Sequence, residues 1–265
     1  MMAAQLVTNA PRQELSDFAV GISAAPKQQQ EHEIVLLSPL TLFLQKYDTL
    51  SLPRVDITQV YFKQRVVHEL AALVLDRIDD PAEHRPEDFK RARVREIRGP
   101  QSAFYRLEVK GPKSLTPAGV FSRIELGVTI DAEEFAELLL LPSKGFTMKS
   151  RYAVPFEIHT DRNAVRAVAN PDLIRATGEV RDGVLRPRNG VISLPPFVLT
   201  DIEFTDLRHA QAFRSGRHTF ALAHQGAIEV ASLPQATQKA LSASRMAKNG
   251  FDRGVESIIR KLQAA

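Results

Sequence analysis

The sequence contains no cysteine and no tryptophan among its 265 residues. Without cysteine the chain can form no disulfide framework, thiolate metal site, iron–sulfur cluster or cysteine nucleophile, and nothing indicates an oxidising compartment. No apolar run approaches the roughly 20 residues that a membrane helix needs, and the N-terminal region lacks the basic start and apolar stretch of a secretion signal. We therefore expect a soluble, cytoplasmic protein with no membrane partner.

The chain also lacks a large excess of positive or negative charge. The 35 lysine and arginine residues face 31 aspartate and glutamate residues, which leaves a net charge of only +4. A nearly balanced chain does not by itself indicate a nucleic-acid-binding protein. Because 44% of the residues are apolar, the chain can bury a sizeable core as one large domain or two small ones.

The sequence lacks residues that three well-known functional motifs require. The stretch Gly111-Pro112-Lys113-Ser114 lacks the first glycine of a phosphate-binding P-loop, and its proline removes a backbone donor. His68 has no second histidine one helical turn later, as a zinc-binding helix would require. No Gly-x-Ser-x-Gly elbow is present, so the serine and histidine residues do not indicate a hydrolase triad.

The chain divides into three parts by composition. Residues 1–30 are rich in alanine, glutamine and proline and are predicted to form a flexible tail. Residues 31–233 consist mostly of short segments in which polar and apolar residues alternate, which is typical of β-strands. Residues 234–265 are predicted to form two helices separated at Asn249-Gly250.

Four further segments within the β-rich body have helical patterns. Pro39 precedes a predicted helix over Leu40–Tyr47, and Lys63–Ile78 places apolar residues at helical spacing. An aspartate can cap the N-terminus of each of two later helices, predicted at Phe135–Leu141 and Leu207–Phe213. The fold class is therefore predicted to be α+β.

Several of the predicted strands have one apolar face and one charged face. Residues two positions apart point to the same side of a strand, so the charges in each segment share a face. The pairs and triplets are Glu31 and Glu33; Arg91, Arg93 and Arg95; Arg106, Glu108 and Lys110; Arg123 and Glu125; Lys149 and Arg151; and Asp201 and Glu203.

Two architectures explain this pattern. In the first, the charges lie on the solvent-facing side of an ordinary amphipathic sheet. In the second, the sheet closes into a barrel or tunnel whose interior is charged, and the predicted helices cover its apolar outer face. The number of amphipathic helices favours the second architecture, because an apolar face needs a partner and a solvated face does not.

A charged interior restricts what the protein can bind. Two like charges a few Å apart repel each other by roughly 4 kcal/mol at an effective dielectric constant near 20, so a cluster of bases needs an anion. A polyphosphate together with Mg²⁺ or Mn²⁺ satisfies both signs, since guanidinium groups bind phosphate oxygens and hard cations bind carboxylates.

The order of the charged strands resembles that of the CYTH domain, or triphosphate tunnel metalloenzyme, family. The family's Glu-x-Glu-x-Lys, Gln-x-Tyr-Leu, Arg-x-Arg and Lys-Gly strands are similar to Glu31–Val35, Thr58–Phe62, Arg93–Arg95 and Leu107–Pro112. Its Arg-x-Glu strand with a following helix, its Lys-x-Arg-Tyr strand and its late acidic strand are similar to Ser122–Glu125 with Asp131–Leu141, Lys149–Tyr152 and Asp201–Phe204. The resemblance covers about residues 31–225 and implies a closed antiparallel β-tunnel.

The resemblance also implies an activity, which is the metal-dependent binding and hydrolysis of a triphosphate-containing small molecule. Bases that would bind phosphate are Arg93, Arg95, Lys110, Arg123, Lys149 and Arg151, and Lys110, Arg123 and Lys149 among them would be catalytic. Acids that would hold Mg²⁺ or Mn²⁺ are Glu31, Glu33, Glu125, Asp201 and Glu203. No feature of the sequence indicates recognition of adenine, which a cyclase variant would need. Hydrolysis is therefore favoured over cyclisation.

The sequence departs from the family pattern at several positions. Val35 replaces the lysine of the first strand, and Gly127 stands where a further glutamate often occurs. Residues 63–89 and 160–196 resemble insertions, and the second of them is predicted to be irregular. The family usually has a strand with an acidic pair after an aromatic residue between Arg151 and Asp201, and the nearest candidate for it is Phe156–His159.

These departures keep two alternatives open. One is a catalytically degenerate protein that binds a nucleotide, a polyphosphate or, as the less favoured partner, nucleic acid. The other is a structural or assembly protein. Bases in the C-terminal helices agree with the first alternative, although a solvated helix face explains them equally well; they are Lys239, Arg245, Lys248, Arg253, Arg260 and Lys261.

Overall fold

The computed structural model describes residues 27–78, 84–100, 102–117, 119–161, 163–188 and 197–249. The strands in chain order are β1 (Lys27–Pro39), β2 (Arg54–Phe62), β3 (Arg91–Arg98), β4 (Ala103–Lys110), β5 (Ser114–Leu115), β6 (Phe121–Ile130), β7 (Ser143–Tyr152), β8 (Val154–His159), β9 (Ala164–Arg181), β10 (Val184–Pro187), β11 (Phe197–Phe204) and β12 (Ile228–Glu229). The α-helices are α1 (Leu40–Lys46), α2 (Val67–Leu75), α3 (Ala132–Leu138), α4 (Leu207–Arg214), α5 (Ala221–His224), α6 (Gln235–Leu241) and α7 (Ala243–Asn249).

Eight of the strands close into an antiparallel barrel. Their order around the barrel is β1, β11, β9, β7, β2, β3, β4 and β6, and β6 pairs in turn with β1. The short strands β5 and β12 pair with β6 and β1, and β8 and β10 both pair with β9. The predicted α+β fold with a closed antiparallel barrel is therefore confirmed.

The alternation of residues along each strand determines which side chains face the interior. On β4, the side chains of Arg106, Glu108 and Lys110 make ion pairs inside the barrel, whereas Leu107 and Val109 belong to the apolar core outside it. A period of two residues produces this separation, because successive side chains of a strand point to opposite faces. The charged interior that the sequence predicts is thus present, and the interpretation of these charges as a solvent-facing surface is wrong.

Two apolar cores on the outside of the barrel fix the helices. Side chains of α2 and α3 pack against outward-facing residues of β3, β4 and β6. Side chains of α1, α4 and α5 pack against β1, β8 and β11, with Phe43, Phe213 and Leu222 among the buried residues. Full burial of each such side chain contributes about 1.5–3 kcal/mol, so the helices stabilise the barrel wall.

The four helices predicted within the β-rich body are found close to their expected bounds. The first predicted C-terminal helix is instead two helices, α6 and α7, because the backbone is extended at Ser242. In the segment Lys63–Ile78, a 3₁₀ turn over Gln64–Val66 leads directly into α2. The backbone N–H of Glu134 donates to the Asp131 carboxylate at 2.8 Å, which is the N-terminal cap expected for α3.

The stretch 160–196 differs from the sequence expectation. Eighteen residues of it form β9, a continuous strand of the barrel wall that pairs with β7, β8 and β11. The prediction of an irregular insertion is therefore wrong for residues 164–181. Pro171 concealed the alternation of Asn170, Asp172 and Ile174, because proline normally argues against a strand interior.

Part of the predicted N-terminal tail belongs to the barrel. β1 begins at Lys27, so residues 27–30 belong to the barrel and not to the predicted tail. The rest of that tail, residues 1–26, lies outside the described residues, as does the second predicted C-terminal helix after residue 249. Within the described ranges no helix combines the length and apolar composition that crossing a membrane requires.

Candidate functional site

The barrel encloses a cavity of about 540 Å³, which we call the lumen. The basic residues that line it are Arg91, Arg93, Lys110, Lys113, Arg123, Lys149, Arg151 and Lys239. The acidic residues that line it are Glu33, Asp172, Asp201 and Glu203. Among the residues that the structure describes, basic side chains thus outnumber acidic ones two to one at the surface of the cavity.

An apolar cluster occupies one end of the barrel interior. Val55, Ile57, Ile97 and Ala153 form this cluster, and each is at most 3% exposed. The two β2 members share the inward face of their strand with Gln59, so they lie inside the barrel beyond the charged residues. Lys113 and residues of α6 line the lumen as well.

Glu108 organises the charges on the β3 and β4 side of the barrel. Its carboxylate is fully buried and accepts a hydrogen bond from Arg93 Nε at 2.6 Å. Arg95 donates to the same carboxylate, and Arg106 Nε lies 3.3 Å from it. One buried acid therefore holds three guanidinium groups in place, as the charge-assisted geometry of such pairs favours.

A second group of charges lies where β1 meets β6. Glu31 and Glu33 both face inward from β1, and Arg123 reaches them with Nε 3.0 Å from Glu31 and a terminal nitrogen 3.3 Å from Glu33. Lys113 Nζ lies 3.0 Å from Glu33, and Lys110 forms an ion pair with Glu125. Pairing of Glu31 with Arg123 across the two strands explains this proximity.

A third group lies on β7, β9 and β11. Arg151 binds Asp172 with two hydrogen bonds of 2.7 Å each and also donates to Asp201 at 2.7 Å. Lys149 forms an ion pair with Asp172 as well. The bidentate geometry is the one that arginine also uses to bind phosphate, so Asp172 occupies the position of an anion here.

The pKa values show that these pairs do not fully compensate the buried charge. Burial and the neighbouring Arg123 and Arg93 lower the pKa of Lys110 to about 7. Burial and the nearby Glu203 carboxylate raise the pKa of Glu31 to about 7. Like charges therefore crowd each other within both the basic and the acidic sets, and ligands of opposite charge would relieve both.

The pKa values of charged groups on β7, β9 and β11 are also shifted by burial and by neighbouring charges. Burial and Asp172 raise the pKa of Asp201 to about 6. Burial and Arg151 lower the pKa of Lys149 to about 8. Asp172 behaves differently: its burial is outweighed by Arg151 and Lys149, which lower its pKa to about 2. Asp172 is thus the acid that compensates the bases of this group.

All eleven predicted site residues lie on the inward face of the barrel. Those that line the cavity itself are Glu33, Arg93, Lys110, Arg123, Lys149, Arg151, Asp201 and Glu203. Glu31 and Glu125 are each 1% exposed, and the Arg95 guanidinium is bound to the fully buried Glu108. The sequence therefore identified the charged face correctly, and the individual roles of these residues stay predictions.

Several residues of the lumen were missed as site residues. Asp172 lies in the stretch that was predicted to be irregular, and Phe156–His159, the candidate for the missing acidic strand, forms β8 outside the barrel with Glu157 exposed. Arg91 was placed on the same charged face as Arg93 and Arg95 but was not assigned to the site, and nothing in the sequence marked Lys113 as lining a cavity. The sequence predicts that Glu108 shares a face with Arg106. It does not predict that Glu108 binds three arginines.

Uncharged polar groups complete the charged belt. Gln59 is fully buried, and its Nε2 donates to the Thr147 hydroxyl at 2.9 Å. A terminal nitrogen of Arg93 lies 3.4 Å from Gln59 Oε1, so this amide connects β3 to β7 through β2. Gln59 and Tyr61 both line the cavity.

The predicted metal ligands are close together but engaged with bases. In the part of the chain that the structure describes, no group of three or more histidine and carboxylate side chains is arranged to hold a metal ion. Their chemistry nevertheless fits Mg²⁺ or Mn²⁺, because carboxylate oxygens are hard ligands. The raised pKa values of Glu31 and Asp201 show that a cation would stabilise these carboxylates.

Comparison with known proteins gives weak likenesses to solved structures. No family model and no curated protein matches the chain. A putative adenylyl cyclase from Hippeastrum with a dominant triphosphatase activity is 11% identical, with a TM-score of 0.43 over 85% of this chain and 97% of that one. An inorganic triphosphatase is 14% identical, with a TM-score of 0.33 over 85% of this chain and 97% of that one.

A chain of the Mediator head module of Schizosaccharomyces pombe is 10% identical, with a TM-score of 0.39 over 71% of this chain and 90% of that one. Scores and identities this low do not assign the chain to a family. The function therefore has to be inferred from the geometry and charge of the lumen itself.

Proposed function

We propose that the lumen binds a triphosphate-containing small molecule together with Mg²⁺ or Mn²⁺ and hydrolyses it. The excess of basic over acidic side chains around a cavity of about 540 Å³ carries this proposal. Cavities of roughly 300–1,000 Å³ are typical of small-molecule sites. A compact ligand with several negative charges satisfies both the size and the charge.

The basic residues supply two kinds of phosphate contact. Arginine side chains offer planar pairs of donors, and lysine side chains offer compact charges. We assign phosphate binding to Arg93, Arg95, Lys110, Arg123, Lys149 and Arg151, of which Lys110, Arg123 and Lys149 would stabilise the charge that develops as a phosphorus–oxygen bond breaks. Preorganised donors of this kind need little rearrangement, because Glu108 and Asp172 already hold most of them.

The acidic residues are assigned to the cation. Glu31, Glu33, Glu125, Asp201 and Glu203 would supply carboxylate oxygens to one or two divalent ions. When bound, such an ion polarises phosphoryl oxygens and lowers the pKa of water. Ligand phosphates would take over the bases that now pair with these acids, and this exchange frees the carboxylates.

A matched pair of substitutions on β3 tests phosphate binding. The Arg93 side chain is 16% exposed and lines the lumen, whereas the Arg98 side chain is 66% exposed and pairs with Glu96. We expect Arg93→Gln to weaken the binding of tripolyphosphate by about ten-fold, since it removes a charge-assisted contact. Titration calorimetry with and without Mn²⁺ measures this change.

Arg98→Gln removes the same charge from the same strand and serves as the control. Its affinity for tripolyphosphate should match that of the unmodified protein. Equal losses in the two variants, or no binding of tripolyphosphate, ATP, GTP or thiamine triphosphate under any metal condition, would contradict the proposed function.

Binding without turnover is the second candidate function. It is favoured by the aliphatic Val35 in the lumen and by the engagement of the acids with bases. Release of phosphate separates the two candidates: hydrolysis requires metal-dependent release that Lys149→Ala and Glu33→Ala abolish, whereas a binding protein is stabilised by the ligand and releases none.

A further inference from the structure

Lys113 reaches the lumen from a loop and not from a strand of the barrel. It lies in the connection between β4 and β5, and contacts with β6 hold the backbone on either side of it. The Gly111 N–H donates to the Ile124 carbonyl oxygen at 2.9 Å, and the Ser114 hydroxyl donates to the Ser122 carbonyl oxygen at 3.2 Å. The backbone of Lys113 is therefore fixed beside β6, and only its side chain extends into the cavity.

The ammonium group of Lys113 lies between a carboxylate and an aromatic ring. Its Nζ is 3.0 Å from Glu33 Oε2 and 3.8 Å from the centroid of the Phe121 ring. Glu33 and Phe121 lie directly opposite each other in the pairing of β1 with β6, so their side chains share the inward face. Both a carboxylate and the face of an aromatic ring attract a cation. The two side chains thus form a position for a small cation, which Nζ occupies.

Lys113 is also more accessible than other bases that pair with the proposed cation ligands. Its side chain is 25% exposed, whereas those of Lys110 and Arg123 are 7% and 11% exposed. A lysine side chain is flexible and donates in no fixed direction. The ammonium group can therefore leave Glu33 without a movement of the barrel, while Arg123 stays 3.3 Å from the same carboxylate oxygen.

A divalent cation and the Lys113 ammonium group compete for Glu33. The carboxylate oxygen that pairs with Nζ at 3.0 Å cannot also approach Mg²⁺ to within about 2.1 Å unless two positive charges come together. Phosphate changes this balance, because its oxygens are alternative partners for an ammonium group. Arg123, which we assign to phosphate, contacts the same Glu33 oxygen as Lys113, so a phosphate bound by Arg123 would lie close to Nζ.

We propose that Lys113 is a tethered counter-ion of Glu33, which keeps divalent cations from this carboxylate until a phosphate chain draws the ammonium group to itself. This inference rests on the proposed function and adds an order to it: the phosphate chain binds first, and the cation follows. Lys113 thereby joins the six bases already assigned to phosphate binding.

Binding of Mn²⁺ in the absence of phosphate tests the counter-ion role without any reaction. Electron paramagnetic resonance of free Mn²⁺ measures the affinity of the full chain. Lys113→Met removes the charge and keeps an unbranched side chain beside Phe121, and it should raise the Mn²⁺ affinity about ten-fold. Lys113→Arg keeps the charge and should leave the affinity as low as in the unmodified protein.

Lys90→Met is the matched control. Lys90 is exposed, and its Nζ donates to the Glu87 carbonyl oxygen at 2.7 Å. Its replacement changes the net charge by the same amount as Lys113→Met and should leave the Mn²⁺ affinity unchanged. Both Lys113 variants retain the pair of Arg123 with Glu33 and should melt within about 2 °C of the unmodified protein.

Two further measurements separate competition at Glu33 from a general effect of charge. In a Glu33→Gln background, the additional change Lys113→Met should not raise the Mn²⁺ affinity, because the carboxylate for which the two cations compete is gone. In calorimetry without metal, Lys113→Met should weaken tripolyphosphate binding by about five-fold, since one phosphate contact is lost. A purely structural role of Lys113 would not change the two affinities in opposite directions.

A Mn²⁺ affinity no higher in Lys113→Met than in Lys90→Met, or an equal gain in the Glu33→Gln background, would overturn the counter-ion assignment. Binding of tripolyphosphate by the unmodified protein would in that case still support the proposed function. Failure of tripolyphosphate, ATP, GTP and thiamine triphosphate to bind the unmodified protein under any metal condition would instead overturn the proposed function, and the order of binding with it.

Discussion

At the scale of single residues, Glu108 is a centre of charge pairing inside the barrel. It is fully buried and holds Arg93, Arg95 and Arg106 at the same time. Removing one partner of a buried ion pair is costly because it leaves the other charges uncompensated. Arg93 and Arg95, two of the four arginines of the proposed phosphate site, therefore depend on this one carboxylate for their positions.

Substitution of Glu108 by glutamine should lower the free energy of unfolding by about 3–5 kcal/mol, since three buried guanidinium groups lose their counter-charge. Urea denaturation followed by circular dichroism measures this change. Glu96→Gln is the control, because Glu96 pairs with the exposed Arg98 and such a pair contributes only about 0–1 kcal/mol. Similar losses in the two variants would show that Glu108 has no special structural role.

A second residue-scale prediction concerns His218. Its ring stacks on Phe213 at 4.0 Å and on His224 at 4.3 Å between centroids, and its Nδ1 accepts a hydrogen bond from the Phe220 N–H at 3.2 Å. Burial and the neighbouring His224 lower the pKa of His218 to about 4 from its ordinary value of 6.5. The folded protein therefore holds this ring neutral at pH values where the unfolded chain protonates it.

The unfolded state consequently binds more protons between about pH 6.5 and pH 4, so stability falls as the pH falls through this range. The melting temperature should drop more steeply over this range in the unmodified protein than in His218→Asn, whose side-chain oxygen can still accept from Phe220. Differential scanning calorimetry at several pH values provides the measurement. Parallel pH profiles in the two proteins would contradict the prediction.

Where charged and apolar residues alternate, the sequence predicts which face of a strand carries each charged side chain. Arg93 and Arg95 sit on one face of β3 because their spacing leaves no other possibility within a strand. The partner of each charge was not predictable, since the link between Arg151 and Asp172 depends on which strands become neighbours. Proline at position 171 hid the strand that carries Asp172.

At the scale of elements, the capped helices show the clearest link from sequence to structure. Asp131 and Glu134 form a reciprocal capping box, with N–H to carboxylate distances of 2.8 and 3.1 Å. The side chain of each residue satisfies a backbone donor that the first turn of a helix leaves free. The bounds of α3 could be predicted to within a few residues for this reason.

Replacement of Asp131 by alanine should lower the free energy of unfolding by about 0.5–2 kcal/mol, because the first turn of α3 loses its cap. Glu133→Ala changes a residue of the same turn that takes no part in the capping box and should stay within about 0.5 kcal/mol of the unmodified protein. Chemical denaturation of both variants compares the two effects. An unchanged stability of Asp131→Ala would show that the cap contributes nothing.

At the scale of the whole molecule, Gly145 sets the distance between the barrel and α7. Its φ of 129° is in the region that favours glycine, and it lies on β7 opposite Tyr61. A Cβ atom at this position would collide with the carbonyl oxygens of Ala247 and Gly178. The absence of a side chain therefore allows both α7 and β9 to approach β7 closely.

Gly145→Ala should lower the free energy of unfolding by about 2 kcal/mol or more, and α7 should lose protection in hydrogen exchange because the methyl group forces it away from the barrel. Gly99→Ala serves as the control, since the nearest atom to its new methyl group would be the Ser102 oxygen at 3.7 Å. Normal protection of α7 in Gly145→Ala would contradict this account of the contact.

The closed barrel could be inferred from the sequence only by weighing two architectures. Charged faces on several strands are equally typical of a solvated sheet. The predicted helices favoured a closed barrel, because they could cover its apolar outer face. Strand order lay beyond sequence reasoning, because the neighbours of β1 are β11 and β6, which are distant along the chain. Local patterns do not encode such long-range pairings.

The position of β1 between β6 and β11 also governs when the protein can fold during synthesis. β1 leaves the ribosome before the other barrel strands, yet one of its two barrel partners is the last of those strands. Contacts between segments so far apart along the chain slow folding, which for comparable β-rich domains takes about milliseconds to seconds. Until β11 emerges, β1 keeps an open edge beside Glu31 and Glu33, so the lumen cannot close before translation of the barrel is complete.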